Sequence, residues 1–148
     1  MSQPPQYENA GIRFRYPENW RIVEEQADGL SETVFAQSPG SGFWMLQHFP
    51  AQQEANDLTD NLLQTLRTEY GEIEVEESQQ TVLDVDLTGH DLHFFCMDMV
   101  VVARTRRFSL GNRCCLLLCQ AEDREFSDLE LVFDAITTSL ISETQDLS

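Results

Sequence analysis

Lysine is absent from this chain. All nine bases among its 148 residues are arginine, set against 26 acids, for a formal net charge of −17. Without lysine there is no Schiff-base nucleophile and no phosphate-loop lysine. A surface this acidic repels phosphodiester backbones and anionic lipid headgroups, so neither nucleic acid nor a membrane surface is an expected partner. Long apolar runs are lacking too. None approaches the ~20 residues a membrane helix needs, and no membrane insertion is expected. The opening MSQPPQYENAGIRF has no cationic start followed by an apolar stretch. No secretory leader is expected, therefore, and the cytoplasm is the expected compartment. Four cysteines would be free thiols there.

Catalytic signatures are equally scarce. No serine sits in a G-x-S-x-G elbow, and Ser41 lies in a Gly-Ser-Gly turn. Phosphate-loop, dinucleotide and calcium-loop spacings are missing, so no cofactor is expected. No linker, repeat or low-complexity tract divides the chain. One domain over residues 9–141 is expected, with 1–8 and 142–148 as flexible termini. The apolar fraction of 41% is enough to fill its core without disulfides or metal.

What is present reads as strands and two helices. Ile12, Phe14 and Tyr16 alternate with Arg13 and Arg15, the period of a half-buried strand, and Pro17 ends it. Trp20–Val23 can resume the extended path. Thr33–Gln37 and Phe43–Phe49 flank Ser38-Pro39-Gly40-Ser41-Gly42 and read as a hairpin. Leu58, Leu62, Leu66 and Tyr70, widened by Leu63, make a helical stripe that Asn56 or Asp57 can cap and Gly71 can end. Strand alternation returns at Ile73 and Val75 and again at Leu83, Val85 and Leu87. The segments Leu92–Asp98, Val101–Leu110 and Arg113–Gln120 follow, the last two joined by Gly111-Asn112. Cys114–Cys119 is apolar on both faces, which predicts a central strand covered above and below. Ser127 with Glu130 reads as a capping box, and Phe126 with Leu131 as a hydrophobic staple, opening a helix lined by Leu129, Val132, Phe133, Ile136 and Leu140. The expected fold class is α+β: an antiparallel sheet flanked by helices, in the order β-β-β-α-β-β-β-β-α.

Two stretches carry a resemblance. Gly11-Ile12-Arg13-Phe14-Arg15-Tyr16-Pro17-Glu18-Asn19-Trp20 resembles the opening x-F-x-Y-P-x-x-W of PsbP-like domains. Phe126…Phe133-Asp134-Ala135-Ile136…Ser139-Leu140 is similar to their closing helix. The family includes the extrinsic PsbP subunit of photosystem II, the Ran-binding nuclear import factor, DcrB-type lipoproteins and accessory chaperones for secreted effectors. The resemblance spans roughly the whole domain and implies an α/β/α sandwich that binds other proteins rather than catalysing a reaction. Its short motifs serve structure, and they assign no binding residue here.

Polar clusters supply the candidate sites. Cys114 and Cys115 point to opposite faces of a strand, and Cys115 and Cys119 stand ~13 Å apart on one face, too far for a bridge or a shared zinc. They read as small buried hydrophobes. His90-x-x-His93 would be a ligand pair on a helix, but at the entrance to a strand its members face opposite ways. Asp84 and Asp86 share a strand face. So do Glu72, Glu74 and Glu76, a row that would suit a basic partner or simply meet water. Arg104 and Arg106 share a face, Arg107 takes the other, and Arg113 lies across the turn. These four either anchor a carboxylate- or phosphate-bearing partner or pair with the protein's own acids. The aromatics Trp20, Trp44, Phe94, Phe95 and Phe108 all fit core positions. The expected function is a non-enzymatic protein-binding or adaptor module, its interface drawn from Glu72, Glu74, Glu76, Arg104, Arg106, Arg107 and Arg113. Two alternatives are an accessory chaperone that holds apolar segments of a secreted protein, and a small hydrolase or metal-dependent enzyme. Sequence leaves the partner and the oligomeric state open.

Overall fold

The structure, a computed structural model, describes residues 3–26, 32–50 and 58–145. Its first element is a hairpin, β1 (Gln6–Asn9) and β2 (Ile12–Arg15). The connecting pair Ala10-Gly11 is left-handed at both positions (φ 52° and 82°), the two-residue turn that matches strand twist. Seven further strands make one antiparallel sheet: β3 (Arg21–Gln26), β4 (Glu32–Gln37), β5 (Phe43–Pro50), β6 (Ile73–Val82), β7 (Val85–Cys96), β8 (Met99–Leu110) and β9 (Arg113–Glu122). Their spatial order is β3-β4-β5-β9-β8-β7-β6. Helix α1 (Leu58–Tyr70) separates β5 from β6, and α2 (Asp123–Gln145) closes the chain. Three strands, a helix, four strands and a helix is the order expected for this sheet, and the β1–β2 hairpin precedes it.

The doubly apolar stretch Cys114–Cys119 lies in β9, the middle strand of the seven, with every residue buried. Cys115, Leu117 and Cys119 face a core shared with Trp44, Phe133 and Ile136 of α2. Leu118 faces the opposite way, toward Leu63 and Leu66 of α1. Each helix therefore covers one face. The α1 stripe docks through Leu62, Leu63, Leu66 and Tyr70, whose ring stacks on Phe94 at 4.6 Å. Gly71 ends it at φ 80°, donating its N–H to the Arg67 carbonyl at 2.9 Å. The expected caps Asn56 and Asp57 lie outside the described residues.

Helix α2 is fixed on three sides. Trp44 Nε1–H donates to Thr137 Oγ1 at 3.0 Å in the buried centre. The outer edge of β2 is closed by helix hydroxyls: Thr144 Oγ1 and Ser139 Oγ accept the N–H groups of Arg13 and Arg15 at 3.1 and 2.8 Å. Glu125 accepts the Ser41 N–H in the β4–β5 turn at 3.0 Å. A Cβ on Gly42 would press on the Leu129 side chain of α2, so a larger residue there would have to push that leucine aside.

Four expectations are corrected. The termini expected to be flexible are partly structured: Gln6–Glu8 belong to β1, where Tyr7 stacks on Phe14, and Ser142–Gln145 continue α2. Leu83-Asp84 is not strand but a turn, left-handed at both residues (φ 48° and 68°), so Val85–Cys96 is one long strand. Met97-Asp98 makes the same kind of turn (φ 51° and 66°) before β8. The capping box also fails, because α2 starts four residues earlier than Ser127. Ser127 Oγ bonds back to the Asp123 carbonyl within the helix, and Leu131 is 80% exposed instead of stapling Phe126. Glu122 is the cap, accepting the N–H groups of Arg124 and Glu125 at 3.2 and 3.4 Å. Accordingly, Glu122→Ala should cost about 0.5–2 kcal/mol, and Ser127→Ala no more than about 0.5 kcal/mol. Urea denaturation of the two variants checks the pair, and the reverse ranking would restore Ser127 as the cap.

Candidate functional site

The four arginines of the β8–β9 region do not share a site. Arg106 is only 3% exposed, although it was expected at an interface. Its guanidinium lies between β6 and β8. Nε–H donates to Gln80 Oε1 (3.0 Å), Nη1 to the carbonyls of Thr105 (2.8 Å) and His90 (3.4 Å), and Nη2 to Ser78 Oγ (3.1 Å) and Asp91 Oδ1 (2.9 Å). All five guanidinium donors are thereby directed inward, so a buried cation stays solvated by the protein itself. Gly89 faces Arg106 across the ladder, and a Cβ there would stand 2.0 Å from the Thr105 carbonyl oxygen. Glycine is required at that position.

Arg104 sits on the same face, beneath α2. It reaches Asp91 (3.7 Å), Glu130 (3.5 Å) and Asp134 (3.3 Å), and its guanidinium lies 5.3 Å from the Phe126 ring centroid. Burial raises the Asp134 pKa, and the Arg104 charge opposes that rise. Arg107 takes the other face, beside Thr59, Asp60 and Glu77. Arg113 is at the far end of β9, where its Nε–H donates to His48 Nδ1 at 2.8 Å.

That last bond belongs to the nearest approach to a catalytic pairing. His48 is 1% exposed and stands opposite Cys115 in the β5–β9 ladder. Burial, assisted by the Arg113 charge, depresses the imidazole pKa from 6.5 to about 4. Burial also pushes the Cys115 thiol up to about 12. A neutral, inaccessible thiol beside a neutral imidazole is a packing pair, not an activated nucleophile. His90 and His93 project from opposite faces of β7. Among the described residues no three His, Cys, Asp or Glu side chains converge to hold a metal ion.

The buried imidazole makes stability depend on pH. Its folded pKa lies below the unfolded value, so between pH 6.5 and 4 the unfolded chain binds a proton that the folded chain refuses. Stability from this group is complete above pH 6.5 and is lost as pH falls toward 4, by about 3 kcal/mol in all. In His48→Gln the loss between pH 7 and 5 should be visibly shallower than in the parent, since both share every other titration. Parallel slopes in urea melts at the two pH values would refute this origin.

The acidic row occupies a different place. Helix α2 packs on β8, β9 and β2. On the same side Leu87 of β7 is buried with it, whereas the Phe95 end of β7 and the Glu72–Glu76 end of β6 are exposed. Strand alternation puts Asp91, His93 and Phe95 on this face, with Glu76 opposite Asp91 and Glu74 opposite His93. Glu72, Glu74 and Glu76 are all exposed. Among the described residues none of the three carboxylates has an ion-pair or hydrogen-bond partner. Phe95, expected in the core, is 71% exposed, and Met97 in the adjoining turn is 88% exposed. The row borders a concavity of about 670 Å³ that Arg67, His93 and Val100 also line. This ledge joins three acids that sequence flagged to an aromatic side chain that it did not. One signal was available: Phe94 and Phe95 are neighbours on a strand and must face opposite ways.

Comparison with known proteins bears on the fold. No protein-family model and no curated protein matches the chain. Solved structures do match. The cyanobacterial PsbP (CyanoP) of Synechocystis sp. PCC 6803 superposes with a TM-score of 0.63 at 11% identity, over 91% of this chain and 89% of that one. LpqN of Mycobacterium tuberculosis, described as involved in cell envelope biogenesis, matches with a TM-score of 0.54 at 12% identity, over 84% and 79%. A protein from Bacteroides thetaiotaomicron matches at 0.60 and 11% identity, over 93% of this chain and 48% of that one. The chain has the PsbP-like fold, as its opening and closing motifs implied.

Proposed function

We propose that this protein is a non-enzymatic, cytoplasmic binding module that holds a basic segment of another protein against the ledge of Glu72, Glu74, Glu76, His93 and Phe95. The observation that carries the reading is a row of exposed, unpaired carboxylates beside an exposed phenyl ring, on the part of the sheet that α2 leaves open. Like charges two residues apart repel, so the folded domain gains nothing from the row on its own. A cationic partner reverses that sign and is steered to the ledge by a chain of net charge −17. Phe95 supplies the apolar anchor that interfaces favour. Arg104 and Arg106 already satisfy Asp91, Glu130 and Asp134, which disfavours the acidic-ligand variant of the same idea. The chaperone alternative needs a broad apolar sheet face. Of the exposed large apolar side chains among the described residues, Phe95, Met97 and Met99 gather at the tip of the β7–β8 turn. Leu83 lies at the other end of β7 and Leu131 on α2, which makes a small apolar tip and not a broad face.

Selection from a random peptide library on the immobilised protein tests the reading. Enriched peptides should be basic and should weaken at least tenfold as salt rises from low to physiological. They should be lost from a Glu72→Lys, Glu74→Lys variant and from Phe95→Asp. Acidic peptides, or peptides that bind these variants unchanged, would overturn it.

A further inference from the structure

We infer that the partner segment binds as an added β-strand along the open edge of β6, with Lys or Arg at the alternate positions that face Glu74 and Glu76 and apolar residues beside Ile73 and Val75. The inference rests on the reading of the ledge as a protein-binding surface and specifies the conformation and pattern of what it takes. Among the described residues β6 pairs only with β7 and is a terminal strand of the sheet. It is ten residues long, contains no proline, and keeps an unbroken register with β7 from Ile73↔Phe94 to Val82↔Val85. An uninterrupted edge of this length presents a row of backbone N–H and C=O groups that another strand can complete. The opposite edge, β3, has only six residues.

The two faces of β6 set the pattern of that strand. Glu74 and Glu76 project to the α2 side, where directly opposed basic residues of an added strand would meet them at cross-strand distance. Ile73 and Val75 project to the other side, half-buried against the cluster that includes Leu63, Leu66 and Tyr70 of α1. Apolar residues at alternate positions of the added strand would extend that cluster outward. A second copy of this chain is a poor occupant, because it brings another net charge of −17 and its own glutamates to the same edge.

The test uses the full chain and three eight-residue probes. One alternates lysine with valine and threonine. The second is the same peptide N-methylated at alternate residues, which keeps charge and side chains but removes strand pairing. The third is a scrambled peptide of equal charge without alternation. Strand addition predicts that the first binds at least tenfold more tightly than the other two and slows amide exchange in Ile73–Val82. Both effects should vanish in Glu74→Lys, Glu76→Lys. Equal binding of all three probes, with no β6 protection, would overturn strand addition while leaving an electrostatic ledge in place. Library-selected peptides that need Phe95 but leave β6 exchange unchanged would do the same. If no probe binds and the library yields nothing on the ledge, both readings fall. A dimer that protects β6 as protein concentration rises, without any peptide, would reassign the edge to a second copy.

Discussion

Phe133→Ala should lower stability by about 3–5 kcal/mol, the range for removing a buried aromatic side chain from a core. Phe133 is 1% exposed, in the core cluster that α2 shares with the sheet. Its ring lies 5.9 Å from Trp20, edge-on, and 5.5 Å from Phe126. The cavity left by alanine would face these two rings, Trp20 and Phe126, within the main core cluster. Chemical denaturation reads the change, and a loss under about 1 kcal/mol would mean that α2 does not carry the core.

Arg106→Ala should cost about the same, about 3–5 kcal/mol, by a different route. It leaves the Thr105 and His90 carbonyls, Ser78, Gln80 and Asp91 without their shared donor. Asp91 retains Arg104 at 3.7 Å, which limits the damage at the carboxylate but not at the neutral acceptors. Arg106→Lys keeps the charge yet offers three donors from one point where five were needed in a planar fork. It should fall between the parent and alanine, costing about 1–3 kcal/mol. Denaturation midpoints in the order parent, lysine, alanine are the expected result. Lysine equal to the parent would show that charge alone matters. Alanine equal to the parent would show that the network carries no stability.

The secondary structure was legible wherever one local pattern decided it. The α1 stripe from Leu62 to Tyr70 with Gly71 behind it, the Ser38–Gly42 turn, and the doubly apolar run in β9 each need only near neighbours in sequence to be read. The two apolar-acidic turns were not legible. Leu83-Asp84 and Met97-Asp98 adopt left-handed conformations that usually call for Asn or Gly, and each side chain continues the alternation of its strand. The antiparallel pairing of long neighbouring strands closes these turns in spite of their residues. The start of α2 was misplaced for a similar reason. Ser127-x-x-Glu130 matches the capping pattern, but the β4–β5 turn already holds Glu125 and Ser41 bonds the Glu122 N–H, so the helix begins where those contacts place it.

Sequence by itself determined the class of this protein: an acidic, lysine-free α+β fold with a covered central strand. Those features follow from composition and from periods of two and 3.6 residues, which burial enforces locally. It also marked Glu72, Glu74 and Glu76 as a row, because alternation along one strand is enough to align them. Tertiary structure alone decided which charges remain available. Arg106 looked as accessible as any glutamate until β6, β7 and β8 enclosed it with five acceptors, and Arg104 until α2 brought Glu130 and Asp134 over it. Phe95 looked like core until the fold left its end of β7 exposed, while Leu87 on the same face is buried. Whether a side chain meets solvent depends on elements that are distant in sequence, and no local period encodes where a helix stops covering a sheet.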